Sequence, residues 1–422
     1  MTAQIFDDVA CTVCACVCDD LRVTVEQGRI VDYQPFCSRI GKWFEDQNSR
    51  RSIPATFRGN EIPFDEAIQK SAEILRNARS PLFYGLSQSS TEGQRAAVAL
   101  ADRLGATIDT TASEGHAPSI LALQQVGEST CSLGEIRNRA DLVIYWGSDP
   151  IEYQPRHLER YSMKSGMLTP RGRRDRTLVV IDSKPTQTSA QADQFYQIEP
   201  NRDFEALWTL RGLLKGIEPA PGSSTGLPID QLKELAGQMQ NCRCGVIFFG
   251  YGLVLQAGGN HNVEALLQLV TDLNKFTRFY ARRMRMGGDV TGADSVLCWQ
   301  TGYPFSVNLA RGYPRYNPNE YSASHMLERC EADALVLIGS TRLEAFSSDA
   351  RKSLEQIPTI LIDHPLGVVP FEPTLRITTA IYGIHRHGTA YRMDEVPIPL
   401  RPLLPSSDPS DSEVLNAIHE SI

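Results

Sequence analysis

Residues 140–150, "ADLVIYWGSDP", run five apolar side chains in a row into Gly147, Ser148 and Asp149. An apolar run without polar alternation is the mark of a strand covered on both faces, and such strands belong to parallel sheets. The Gly-Ser-Asp ending lets the backbone turn sharply at the strand's carboxyl end. The same pattern recurs in "PLFYGLS" at 81, "TLVVIDSKP" at 177, "CGVIFFGYG" at 244, "ADALVLIGS" at 332 and "PTILIDHP" at 358. Between these runs lie stretches of helical period: "FDEAIQKSAEILRNA" from Phe64, "TEGQRAAVALADRLG" closed by Gly105, and "NVEALLQLVTDLNKF" from Asn262. Strand and helix signals in alternation predict a doubly wound α/β architecture. Ligands of such folds sit at the carboxyl ends of strands, so the Gly, Ser and Asp turns are the first candidates for function.

A chain of 422 residues exceeds one small core and predicts two or three domains. Its 41% hydrophobic and 22% charged content is ordinary for a globular protein, and a net charge of -8 argues against nucleic acid as a partner. The start "MTAQIFDDVA" carries acids where a signal peptide needs bases, and no apolar run is long enough to span a bilayer. The expectation is a cytoplasmic protein with no membrane partner. In a reducing compartment its ten cysteines read as metal ligands or buried thiols, not disulfides.

The first sixty residues form a separate module, in which "LRVTV" and "RIVDY" flank "EQG" as a hairpin. Cysteines surround it. Cys11, Cys14 and Cys18 have the spacing C-x2-C-x3-C, and Cys37 follows the hairpin. A tight loop of thiolates closed by a remote fourth is what a [4Fe–4S] cluster requires. Zinc also accepts four thiolates, but its structural sites usually pair two short knuckles, absent here; buried thiols are the third alternative. Cys16 is one sulfur too many and is expected to point outward. Cys131, Cys242, Cys244, Cys298 and Cys330 show no ligand spacing beyond a C-x-C and read as core thiols.

The motifs "CTVCACVCDD" at 11, "SEGHAPSILA" at 113, "WGSDPIEYQPRH" at 146, "IDSKPTQTSAQAD" at 181, "TGYPFSVNLARGYPRYNP" at 301 and "GTAYRMDEVPIPL" at 388 occur in an order that resembles the B subunit of formylmethanofuran dehydrogenase and of its bacterial relative, the formyltransferase/hydrolase complex. The resemblance runs from about residue 8 to about residue 402. It implies interleaved α/β domains of the bis-pterin (molybdopterin) oxidoreductase type without the carboxyl-terminal barrel domain of larger superfamily members. The expected division is a cysteine module at 1–58, a discontinuous middle domain from 59–135 and 290–396, an inserted dinucleotide-binding-like domain at 136–289 and a tail at 397–422. That tail is Pro- and Ser-rich before a last short helix, and reads as a docking arm or partly mobile end.

The resemblance also implies sites. Pterin guanine dinucleotides carrying molybdenum or tungsten would need backbone N–H groups for pyrophosphate and acids for ribose and guanine. Gly147 and Ser148 form one such turn, Asp182 ends the next strand with a carboxylate for a ribose hydroxyl, and Asp203 matches a guanine-binding acid. Gln256 and Asn262 belong to the same set. Each has a plainer reading, since Asp149 and Asp203 are also good helix N-caps. Arg171, Arg173, Arg174 and Arg176 would reach phosphates or form a solvated loop. In catalytic relatives a cysteine or selenocysteine before the His-Gly-Pro-like step binds the metal; here that position is Gly115. His116 and Arg285 remain as the catalytic candidates. Glu114 or Ser113 would have to substitute as a hard oxygen ligand.

Two functions follow from the resemblance. One is a largely non-redox scaffold in a formyltransferase/hydrolase complex of tetrahydromethanopterin-linked oxidation of formaldehyde to formate. The other is a catalytic tungsten or molybdenum bis-pterin protein that interconverts formate or CO2 with a formyl group on a furan cofactor. Both imply further subunits as partners, including a small barrel-like one and an amidohydrolase-like one.

Overall fold

The computed structural model describes residues 3–48, 52–339 and 342–422. Strands in chain order begin with β1 (Gln4–Val9), β2 (Leu21–Glu26) and β3 (Arg29–Gln34), an antiparallel sheet in that order. The expected hairpin is β2–β3. Gln27 and Gly28 turn it at φ of 50° and 74°, the two positive values that a tight hairpin needs. β1 has no counterpart in the sequence reading, because most of "QIFDDV" is exposed or half-buried and carries no alternation. Val9, Leu21, Val23, Ile40 and Phe44 form a small core with Ile381, Ile384, Leu403 and Leu404 from far along the chain. The module is therefore not self-sufficient.

The strands continue with β4 (Ala55–Phe57), β5 (Asn60–Glu61), β6 (Pro81–Gly85), β7 (Thr107–Thr110), β8 (Leu142–Trp146), β9 (Thr177–Asp182), β10 (Gln194–Gln197), β11 (Cys244–Phe249) and β12 (Arg278–Arg283). They end with β13 (Val307–Asn308), β14 (Arg315–Tyr316), β15 (Ala334–Ile338), β16 (Thr359–Asp363), β17 (Leu375–Thr378), β18 (Gly388–Tyr391) and β19 (Pro397–Leu400). The chain divides into two compact units, the first from 1–114 with 286–422 and the second from 115–285.

The large sheet of the first unit has the order β14-β13-β7-β6-β15-β16-β17-β4-β5, and its five central strands are parallel. Every residue of β6, β7, β15 and β16 is buried. Alternate side chains serve opposite faces. Phe83, Ile108, Val336 and Ile360 enter one core, while Leu82, Tyr84, Leu335 and Leu361 enter the other. The second unit has the parallel order β10-β9-β8-β11-β12.

These two orders match. Three consecutive strands step to one side (β8, β9, β10; β15, β16, β17), and two more lie on the other (β11, β12; β6, β7). Each sheet therefore has one switch point, between β8 and β11 or between β15 and β6, where such folds bind ligands.

Of the two expectations for the carboxyl-terminal segment, a docking arm or a partly mobile end, the structure shows the docked one. The helix Asp411–Glu420 begins with a capping box between Ser410 and Glu413. Val414, Leu415 and Ile418 are buried in the same core as Phe83 and Ile108.

Candidate functional site

The cysteine loop joins β1 to β2. Its ends close through Cys11 N–H donating to Cys18 O at 2.8 Å, and Val17, at φ 34°, donates to Cys14 O at 3.1 Å. Among the described residues no disulfide forms. Burial holds the Cys11 thiol well above the ordinary range, and Cys14, Cys18 and Cys37 add to the effect, so the four expected ligands share one neighbourhood. Among the described residues, no three His, Cys, Asp or Glu side chains are set as ligands of one metal ion. Cys16 departs from expectation: it is 1% exposed and hydrogen-bonds with Cys14, which, ahead of burial, raises its pKa. The short turn leaves its side chain nowhere outward to go.

The segment 113–118 follows β7. Ser113 Oγ donates to Asp109 Oδ2 at 2.7 Å, so the hydroxyl is already engaged. Asp109 also accepts from the Ser306 and Ala323 N–H groups at 2.9 and 2.7 Å, yet burial raises its pKa to about 6. The Glu114 carboxyl is pushed up to about 7, by burial first and then by Asp109. Both belong to the first unit. In the second unit His116 is buried, with Nε2 3.3 Å from the Tyr251 hydroxyl. Arg285 is buried too, and its carbonyl accepts from Gln154 Nε2 at 2.9 Å. Its neighbours in "RRMR" are structural: Arg283 pairs with Glu128 at 3.2 Å, and Arg282 donates to Thr130 Oγ1 at 2.8 Å.

The remaining expected residues surround the switch point of the second unit. Gly147 turns at φ 57°, and a Cβ there would lie 2.5 Å from Leu253 N, so only glycine fits. Gly252 N–H donates to Gly147 O at 2.9 Å. Ser148 and Asp149 are buried, and Asp149 accepts from Gln187 N and Thr188 N at 2.9 and 3.1 Å, fixing the loop after β9. Asp182 is half-buried, accepts from Lys184 N at 3.3 Å, and has its pKa raised by burial. Asp203 gives one carboxylate oxygen to the fold, Oδ1 accepting from Trp146 Nε1 at 2.6 Å, while Oδ2 is buried without a hydrogen-bond partner among the described residues. Gln256 Nε2 donates to Gly252 O, and Asn262 Nδ2 donates to Leu253 O at 3.3 Å. Gln256 and Asn262 thus serve the fold around the turn, and Asp203 does so through one of its two oxygens.

Three of the four arginines of the run are taken up locally, and Arg174 is exposed. Arg171 pairs with Asp175 and Arg173 with Asp193. Arg176 is a buried clamp on Ile136 O, Arg137 O, Ala140 O, Lys164 O and Thr169 Oγ1.

One set of residues escaped the sequence reading. In the first unit Gly339 (φ 75°) follows β15 as Gly147 follows β8, and Asp363 ends β16 as Asp182 ends β9. The signal was present as a repeat: "LVLIGS" with "TILID" mirrors "VIYWGS" with "LVVID".

No protein-family model matches the chain. In sequence it is 38% identical over 430 residues to the B subunit of tungsten-containing formylmethanofuran dehydrogenase 2 of Methanocaldococcus jannaschii, with 99% of each chain covered. It is 34% identical over 433 residues to the same-named protein of Methanococcus maripaludis, again with 99% of each covered. The Fhc B subunit of the formyltransferase/hydrolase complex of Methylorubrum extorquens is 25% identical over 291 residues, covering 68% of this chain and 75% of that one. Among solved structures, a chain of the FhcABCD complex from Methylorubrum extorquens superposes with a TM-score of 0.73 at 22% identity, covering 87% of this chain and 98% of that one. Acetylene hydratase from Pelobacter acetylenicus gives a TM-score of 0.67 at 12% identity, covering 99% and 70%. These two likenesses establish the fold, and the full-length sequence matches establish the kinship: the chain belongs to the family of formylmethanofuran dehydrogenase B subunits.

Proposed function

We propose that this chain is the B subunit of a cytoplasmic formyl-handling complex in tetrahydromethanopterin-linked oxidation of formaldehyde to formate. In it the chain acts largely as a non-redox scaffold, and partner subunits, an amidohydrolase-like one and a small barrel-like one among them, carry formyl transfer and hydrolysis. Among the described residues no helix is long and apolar enough to cross a membrane. The observation that carries the reading is Gly115. The position that would supply a soft thiolate or selenolate has no side chain. The neighbours are no like replacement for it: the Ser113 hydroxyl is given to Asp109, and Glu114 offers a hard oxygen where a soft thiolate or selenolate is missing. The donor set at 113–118 therefore does not fit a molybdenum or tungsten centre.

Cys11, Cys14, Cys18 and Cys37 do fit the chemistry of a [4Fe–4S] cluster, since four thiols in mutual electrostatic reach favour a cationic core between them. A cluster spreads its ligands wider than a single ion does. Such a group would stiffen the module or pass single electrons.

The second reading is the catalytic bis-pterin protein acting on formate or CO2. One finding favours it: full-length identity of 38% to a tungsten-containing relative. Metal and pterin analysis of the native complex, purified anaerobically, separates the two. Iron without molybdenum, tungsten or pterin is expected; either metal together with a released pterin would establish the catalytic reading instead.

A further inference from the structure

The cysteine loop carries one thiol more than a [4Fe–4S] cluster uses, and the extra one is buried. Cys16 is 1% exposed and is in hydrogen-bond contact with Cys14, one of the four expected ligands. Its place is fixed from both sides. Ala15 O accepts from Met393 N at 2.9 Å, and Val17 N donates to Cys14 O at 3.1 Å. Val17 takes a φ of 34°, which a β-branched residue adopts only under constraint, and its side chain belongs to one buried core with Tyr382, Ala390 and Leu400. Ala15 and Val17 are as deeply buried as Cys16 itself. The loop therefore has no slack through which Cys16 could turn to solvent.

We infer that Cys16 is a positioning residue of the cluster site and not a ligand: its S–H donates to the Cys14 sulfur and raises the reduction potential of the cluster that Cys11, Cys14, Cys18 and Cys37 would hold. The inference rests on the cluster reading of those four residues. A cubane takes four thiolates, and the remote Cys37 already closes that shell, which leaves Cys16 to act on a ligand instead of as one. A ligand sulfur carries more negative charge when its cluster is reduced, so a donor on that sulfur is held more tightly in the reduced state. The hydrogen bond thus favours reduction, and hydrogen bonds to sulfur together with burial are what set such potentials. Burial adds to the effect, because water cannot reach the Cys14 sulfur from the Cys16 side to take the place of the thiol.

The test is a potentiometric titration, read by electron paramagnetic resonance, of the full chain loaded anaerobically with iron and sulfide. Cys16→Ala is expected to keep a full complement of iron and to weaken the reduction equilibrium about tenfold, a fall of about 59 mV for one electron. Cys16→Ser, whose hydroxyl is again a donor, is expected to restore most of that shift. Cys16→Val, which fills the volume without a donor, repeats the measurement should alanine leave a cavity that unfolds the module. Equal potentials in the wild type and the donorless variants, or a serine variant as low as alanine, would overturn the inference. Loss of iron from a folded Cys16→Ala chain would overturn it too, by making Cys16 a ligand. The iron and sulfide content of the wild type reads the cluster assignment separately: a full cluster with unmoved potentials refutes the role of Cys16 alone, whereas a wild-type chain that takes up no iron refutes both.

Discussion

Asp289 offers the sharpest probe of the first unit. It is 1% exposed, and its Oδ1 accepts from the Gly292 and Tyr391 N–H groups at 2.8 and 2.9 Å. Burial nonetheless outweighs these bonds and raises its carboxyl from 3.8 to about 7. A group whose folded pKa lies above its unfolded one holds its proton more tightly when folded. The stability it contributes is present below pH 4 and is lost as pH rises through 7. The rise from 3.8 to about 7, at about 1.4 kcal/mol per pH unit, makes the loss about 4 kcal/mol, on the order of half the stability of a typical domain. Asp109, at about 6, and the raised Glu114 and Asp411 act in the same direction. Asp289→Asn keeps the oxygen that both backbone donors reach and cannot ionise. Calorimetric unfolding between pH 5 and 8 is expected to show the melting temperature of the first unit falling by several degrees in the wild type and by clearly less in the variant. Equal slopes, or a wild type that gains stability over that range, would refute the assignment of Asp289 as a buried acid with a raised pKa.

Arg176→Ala strips five acceptors of their common donor and is expected to cost the second unit about 3–5 kcal/mol, read as an early thermal transition, with Arg176→Lys intermediate because an ammonium cannot span the same fork. Leu415→Ala, at a fully buried position of the terminal helix, is expected to cost about 2–5 kcal/mol; a change within about 0.5 kcal/mol would mean the helix is a loose arm after all. Gly115→Cys is expected to confer no dye-linked formate oxidation, since Gln256 and Asn262 are bonded to the local backbone; a gain of activity would revive the catalytic reading.

The central parallel strands were legible because burial on both faces leaves an unbroken apolar signature, and the β2–β3 hairpin because Gln27-Gly28 satisfies the local demands of its turn. The cysteine spacing was legible for the same reason: a C-x2-C-x3-C loop constrains itself. β1 was not, because a mostly exposed strand is defined by its partner and not by its own composition.

By itself the sequence determined the fold class, the turns that end the buried central strands it identified and the absence of a ligating side chain at Gly115, all of which depend on residues adjacent in the chain. Only the tertiary structure decided that Cys16 faces inward, that the terminal helix is docked, that Asp203 is held by Trp146, and that Asp363 is buried where Asp182 is half-buried. Each of these depends on which distant segment fills the space beside the residue, and Trp43 and Asp411 come to line one small cavity with Asp363 only when more than three hundred residues between them have folded. Local chemistry sets what a residue is able to do, and the segments packed around it set whether it does so.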